Sequence, residues 1–304
     1  MSHMAHRGPR IAVVTGAARG IGAAVARGLS ERGMRVVLLG RELESLRAVA
    51  DSLPGTPCCI EADVTDEAAM QGSARSVAER LGPASVVVAN AGIAVAGPFA
   101  NCDAALWNRV IGVNLIGSAV TARVFLPQLL ETRGYFLQVA SSAAFGSAPM
   151  MSAYCASKAG VESFAQALRS EMEPEGVGVG IAYLHWTDTD MIDELDEHVV
   201  LRELRRRQPA PARRVHSAAR VAELLVRGIE RRSPTLYAPP WLRLAQPLRP
   251  LFPHLVAWAA RRSFARMSPA EFHAAAGVLG AGGHADWDVQ RSAAPIRPTT
   301  PPQD

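Results

Sequence analysis

The sequence of 304 residues has almost no lysine: 31 of its 32 basic residues are arginine, and the single exception is Lys158. Cysteine is scarce as well. Cys58, Cys59, Cys102 and Cys155 show neither a C-x2-C metal spacing nor a disulfide framework. No metal site is expected from them. A reducing compartment, and hence a cytoplasmic location, is the simpler expectation. No uninterrupted apolar run approaches the roughly 20 residues that span a bilayer. Met1 to Arg10 is short and polar, without the apolar stretch of a signal peptide. There are no internal repeats.

What is present suits a large folded core. Hydrophobic residues make up 49% and charged residues 20%, a balance of globular rather than disordered chains. The net charge of +4 is unevenly spread. From Leu201 to Met267 the chain carries arginine after arginine, with Arg205, Arg206 and Arg207 in a row and only Glu203, Glu223 and Glu230 opposing them. Such a region can face nucleic acid, an acidic membrane or solvent. It lacks the interleaved aromatics or motif of a nucleic-acid binder, and no nucleic-acid partner is expected.

Over the first 240 residues, short apolar runs alternate with helical patterns. Strands are expected at Ile11–Thr15, Arg35–Leu39, Cys58–Ala62, Ser85–Ala89, Tyr135–Ala140, Val177–Leu184 and Thr235–Ala238. Helices fall between them, including a long stretch over Ala104–Leu130 and another over Ala153–Met172. Alternation of this kind predicts right-handed crossovers and an α/β fold: a doubly wound parallel sheet in three α/β/α layers. Val36–Leu39 and Val86–Ala89 are apolar at every position, as strands covered on both faces must be. The expected organisation is a flexible N-terminus over 1–9 and a main domain over 10–240, with a substrate loop at about 190–214. A Pro-rich and amphipathic helical extension over 241–280 and a disordered tail over 281–304 follow.

Between the first strand and first helix lies Thr15-Gly16-Ala17-Ala18-Arg19-Gly20-Ile21-Gly22. Glycines there let the backbone approach a pyrophosphate, and the helix start offers free N–H groups to it. The spacing TGxxxGxG resembles the short-chain dehydrogenase/reductase family. Other pieces agree in order: Asp63-Val64 after the third strand, Asn90-Ala91-Gly92 after the fourth, then Asn114, Ser141, Tyr154 and Lys158. The resemblance covers roughly residues 10 to 238 and implies a Rossmann fold. It also implies a nicotinamide cofactor held by Gly16, Ala18, Arg19, Gly20, Ile21, Gly22, Asp63, Val64, Asn90, Ala91, Gly92, Tyr154, Lys158, Thr187 and Thr189. Homodimers or homotetramers through the helices carrying Asn114 and Tyr154 are part of the same expectation.

The second strand ends in Leu39-Gly40-Arg41, with no acid before Glu42. An acid there would accept the ribose 2′-hydroxyl and repel a 2′-phosphate. Arg41 instead can fork onto a phosphate, with Arg19 as a second cation, so NADP(H) is favoured over NAD(H).

Tyr154 and Lys158 stand four apart at the start of a helix and share a face. A free phenol titrates near pH 10; an adjacent ammonium favours the phenolate and lowers that value. That the only lysine falls here is notable, because a compact ammonium serves both a phenol and ribose hydroxyls where a planar guanidinium does not. The resemblance implies Tyr154 as general acid/base in hydride transfer between the nicotinamide and a carbonyl or carbinol carbon, with Ser141 on the same oxygen. Ser142 is the alternative serine. Asn114 is expected to hold a water that relays protons to Lys158.

The family's Pro-Gly after the sixth strand is replaced by Leu184-His185-Trp186-Thr187-Asp188-Thr189, which leaves the local backbone path open. His185 is either a cofactor contact or a structural histidine. Met191, Ile192, Leu195, Val199 and Leu201, with Phe145, Met150 and Met151 opposite, suggest an apolar ketone or alcohol of lipid, steroid or xenobiotic type. The segment His254–Met267 suits a membrane surface, the protein's own core or a partner subunit. The alternative functions are a catalytically silent dinucleotide-sensing regulator on the same fold and a nucleic-acid binder.

Overall fold

The computed structural model describes residues 10–197, 199–206, 208–264 and 277–293. The chain runs β1 (Ile11–Thr15), α1 (Gly20–Glu31), β2 (Arg35–Gly40), α2 (Leu43–Ala50), β3 (Cys58–Glu61), α3 (Glu67–Leu81) and β4 (Val86–Ala89). It continues with β5 (Ala94–Ala96), α4 (Ala104–Ile111), α5 (Gly117–Thr132), β6 (Tyr135–Val139), α6 (Ser152–Met172) and β7 (Gly178–Leu184). Then come β8 (Thr187–Asp188), α7 (Asp190–Glu197), α8 (Val199–Arg206), α9 (Ala210–Arg213), β9 (His216–Ser217), α10 (Ala218–Glu230) and β10 (Thr235–Ala238). After α11 (Leu242–Ala245) and α12 (Phe252–Phe264), the last described elements are β11 (Gly277–Leu279) and a C-terminal helix, Ala281–Ala293.

Seven strands form one sheet in the order β10-β7-β6-β4-β1-β2-β3, and every pairing within it is parallel. The all-apolar strands have the burial their sequence demands. Side chains alternate between faces, so Val13, Val37, Val87 and Phe136 enter one core with Phe125, Leu129 and Val161. Val14, Leu38, Val88 and Leu137 enter the other, with Val25, Leu29 and Leu225. This is the three-layer doubly wound fold expected from the sequence. Strand order reverses between β1 and β4, and in such sheets ligands bind at the carboxyl ends beside that reversal.

The long helical stretch is two helices joined by a π-helical turn, Gly112–Ile116, which contains Asn114. Together, Ala104–Thr132 is long and apolar enough to cross a bilayer, yet half of its apolar window is buried against the protein. It serves as a core helix, with Phe125 and Leu129 fully buried.

Three expectations need correction. Residues 281–293 are helical rather than a loose tail. Gly282 and Gly283 led to that misreading, but they allow close approach instead: an added Cβ would meet Arg19 Nη1 at 3.4 Å and Val278 Cγ1 at 2.5 Å, respectively. The substrate loop is largely helical, as α7, α8 and α9. Phe145 does not face the cleft; it packs in the core with its ring 4.8 Å from that of Tyr183. The expected flexible segment 1–9, the residues 294–304 and the end of the helix expected over His254–Met267 lie outside the described residues.

Candidate active site

A cleft lies at the carboxyl ends of β1, β2, β4 and β7, and all the cofactor residues expected from the sequence line it. Its floor is the glycine turn. Gly16 has φ +63°, and an added Cβ would sit 2.8 Å from Ala91 Cα. At Gly22 a Cβ would lie 2.2 Å from the Gly16 carbonyl oxygen, so only glycine lets α1 start this close to β1. The start of α1 has no side-chain cap and no acid in its first turn. Its N–H groups therefore face the cleft with their dipole uncompensated, the arrangement that receives a phosphate. Asn90 braces the turn: its Nδ2 donates to the carbonyls of Thr15 at 3.0 Å and Gly16 at 3.2 Å. The Thr15 hydroxyl accepts the Asn90 and Ala91 N–H groups at 3.0 and 3.1 Å. The residues present thus fit a dinucleotide.

At the adenosine end, the two expected arginines are both paired. Arg19 forks onto Glu42, at 2.7 Å through Nη1 and closer through Nη2. That bond holds the Glu42 carboxyl below its ordinary range. Arg41 donates to Asp286 of the C-terminal helix. Arg109 of α4 completes the cluster. It donates to Asp286 Oδ2 at 2.8 Å through Nε, to Asp286 Oδ1 at 2.7 Å and Asp63 Oδ2 at 2.6 Å through Nη2, and to Thr65 at 2.8 Å through Nη1. Burial alone would raise Asp63, but hydrogen bonds from Thr65 and Arg109 outweigh it and hold the carboxyl below its ordinary value. Sequence reasoning missed Arg109 and Asp286. The four-residue spacing of Arg109 and Val113, both on the cleft wall, was the one available hint for the first; nothing in the sequence marks the second.

Further along the cleft, Ser141, Tyr154 and Lys158 come together. Burial raises the Tyr154 phenol above its ordinary value, against a smaller lowering by the Ser141 hydroxyl. The expected lowering by Lys158 is therefore not the dominant effect in the protein alone. The lysine itself is 5% exposed, and burial brings it down to about 8. Its Nζ donates to the Val139 carbonyl at 3.2 Å and lies 5.7 Å from the centre of the Tyr154 ring. Ser142 points elsewhere, to His185 Nδ1 at 2.7 Å.

Asn114 stands behind this group rather than in the cleft. Its amide donates to the Ile93 carbonyl at 3.0 Å and to Ser157 Oγ at 2.9 Å, and its oxygen accepts the Ile93 N–H at 2.8 Å. Ser157 in turn donates to the Tyr154 carbonyl at 2.8 Å. Asn114 thereby ties the loop after β4 to the first turn of α6.

After β7, the backbone without Pro-Gly is pinned by side chains. His185 Nε2 meets the Ala212 carbonyl at 2.5 Å, and Thr187 Oγ1 donates to the His185 carbonyl at 2.9 Å. Burial pushes His185 down to about 4, so it is neutral. It lines the cleft while holding α9 and Ser142 in place. Thr189 approaches the turn, with Cγ2 3.2 Å from where a Gly20 Cβ would be. On the substrate side, Tyr154 borders an apolar cluster of Ala94, Ala96, Met150, Met151, Cys155, Leu195 and Leu279.

The fold and this cleft are those of a nucleotide-binding Rossmann protein. Residues 10–199 match the short chain dehydrogenase family, and the chain belongs to it: it is an oxidoreductase of the short-chain dehydrogenase/reductase family. It is similar to meso-2,3-butanediol dehydrogenase of Serratia marcescens, 34% identical over 171 residues that cover 56% of this chain and 68% of that protein. An uncharacterized oxidoreductase of Myxococcus xanthus is 36% identical over 187 residues, covering 59% and 73%. A metagenomic short-chain oxidoreductase solved in complex with NADP is 33% identical with a TM-score of 0.56, covering 58% of this chain and 81% of that one. A short-chain type dehydrogenase/reductase from Mycobacterium marinum, at 23% identity and TM-score 0.68 over 75% and 93%, shares the fold.

Proposed function

We propose that the chain interconverts a ketone or aldehyde and an alcohol, using NADP(H), on an apolar substrate of lipid, steroid or xenobiotic type. The observation that carries this reading is the gathering of Ser141, Tyr154 and Lys158, with Lys158 Nζ 5.7 Å from the centre of the Tyr154 ring, in a cleft that also holds a dinucleotide cradle. The uncapped start of α1 would hold the pyrophosphate, and Lys158 would donate to the nicotinamide ribose. When bound, the nicotinamide supplies or takes up the hydride. Tyr154 gives its proton to the substrate oxygen in reduction and recovers it in oxidation; burial keeps the phenol protonated and so ready to donate. Ser141 donates to the same oxygen and stabilises its developing charge. Asn114 positions Tyr154 through Ser157. The cluster around Met150, Met151 and Leu279 supports an apolar substrate. Support for NADP(H) comes from Arg19, Arg41 and Arg109 at the adenosine end and from the similar metagenomic enzyme solved with NADP. The test is NADPH oxidation against a panel of ketones and aldehydes with NADH alongside. NADPH-dependent turnover of an apolar carbonyl is expected; failure of both cofactors to bind would overturn the reading.

We also propose that residues 241–264 rest on an anionic membrane surface. Leu244, Leu248, Leu251, Leu255 and Trp258 are exposed at three- and four-residue spacings. Arg243, Arg261 and Arg262 accompany them in a stretch without an acid. Flotation with anionic vesicles is expected for the full chain and reduced by Leu255→Ser with Trp258→Ser; full recovery of the unaltered chain in the soluble fraction would remove the idea.

A further inference from the structure

The wall of the cleft at the adenosine end is built from the far end of the chain, beyond the residues that match the family. The strap 277–293 reaches it by pairing β11 antiparallel with β5, Leu279 opposite Ala94. Leu279 is buried among Ala94, Ala96 and Met150. The Gly280 N–H donates to Glu194 Oε2 of α7 at 2.7 Å, and His284 Nε2 meets the same oxygen at 2.9 Å. The C-terminal helix then carries Asp286, 5% exposed, onto Arg41 and Arg109. Arg109 grips both oxygens of this carboxylate, at 2.7 and 2.8 Å.

We propose that Asp286 is a specificity-determining residue: it occupies the anion position of the adenosine 2′-phosphate, and NADP(H) binds by exchanging that phosphate for the Asp286 carboxylate. The inference rests on the NADP(H) reading above and assigns the residue that competes within it. Two guanidinium groups here face two carboxylates, Asp63 and Asp286, so the cluster is neutral. A phosphate monoester carries between one and two negative charges near neutral pH. Added beside both carboxylates in a buried cluster, it would leave a large uncompensated negative charge. In place of Asp286, it keeps Arg41 and Arg109 paired, and it offers three oxygens to guanidinium forks that suit them. A 2′-hydroxyl carries no charge and has no means of taking two arginines from a carboxylate. The acid that the end of β2 lacks is thus supplied from 245 residues further along the chain.

The experiment is calorimetric titration of the full chain with two probes, adenosine 2′,5′-bisphosphate and 5′-AMP. Asp286→Ala and Asp286→Asn are compared with the unaltered protein; the asparagine keeps the shape if the alanine fails to fold. Both variants should bind the bisphosphate about tenfold tighter or more and 5′-AMP within about twofold. Trp287, adjacent on the strap, reports the exchange: the bisphosphate should shift its emission, 5′-AMP should not, and Trp287→Phe should abolish the signal. Unchanged bisphosphate affinity, an equal gain for both probes, or a loss of 5′-AMP binding would each overturn the proposal. Failure of the NADP(H) reading looks different: once Asp286 is neutralised, the two probes would bind alike, and Arg41→Ala would change neither.

Discussion

Ser142 is turned to Nδ1 of His185 at 2.7 Å, while Ser141, the residue before it, lines the cleft together with Tyr154. The two serines therefore separate in function. Ser141→Ala should lower kcat by about a hundredfold or more, the usual cost of removing a donor to a developing oxyanion. Ser142→Ala should leave kcat within about threefold, because its hydroxyl serves His185 and the loop, not the oxygen being reduced. Steady-state kinetics on one substrate, with both variants at matched folding by circular dichroism, checks the contrast.

The pH profile should carry the signature of Lys158. Burial brings it down to about 8, so the ammonium is present below that pH and lost above it. A falling alkaline limb of kcat/KM near pH 8 is expected, since that parameter reports the free enzyme. Lys158→Arg keeps a positive charge at all accessible pH values. It should move the limb upward while lowering the maximal rate. A limb unmoved by this substitution would assign it to another group.

His185 makes an opposite kind of contribution, to stability. Burial pushes it down to about 4 from an ordinary 6.5. The unfolded chain thus takes up a proton that the folded chain refuses. Stability is full above pH 6.5, falls as the pH drops towards 4, and changes no further through this group below that. The loss is up to about 3 kcal/mol, at about 1.4 kcal/mol per pKa unit. Denaturant titrations from pH 7 to 4 should show it, and His185→Gln should flatten this part of the profile.

Gly22 has no room for a side chain. A Cβ would lie 2.2 Å from the Gly16 carbonyl oxygen and 2.6 Å from Asn90 Nδ2. Gly22→Ala must open the turn, at a cost of about 1–3 kcal/mol for forced overpacking. NADPH affinity measured by fluorescence should fall about tenfold or more.

Much of this architecture is legible in the sequence because local signals suffice. Val36–Leu39 and Val86–Ala89 are apolar throughout and became fully covered strands. The glycine turn, Asp63, Asn90, Ser141, Tyr154 and Lys158 stand at fixed distances along the chain, and the cleft brings them together. What escaped was set by contacts distant in sequence. Asp286 meets Arg41 only because β11 pairs with β5, and a three-residue strand that starts on Gly277 carries no periodic signal. The expectation of a lowered Tyr154 pKa weighed one charge and omitted burial, which depends on how α6 is packed. Arg19 and Arg41 read as free cations because their partners, Glu42 and Asp286, are assigned by folding.

The central claim is that Tyr154 exchanges the proton with the substrate oxygen. Tyr154→Phe removes the hydroxyl and keeps the ring. NADPH binding to this variant, measured by fluorescence titration, should stay within about threefold of the unaltered protein, while turnover of a carbonyl substrate should fall by about a hundredfold or more, the usual contribution of a positioned acid. Near-normal turnover in the phenylalanine variant would contradict the account.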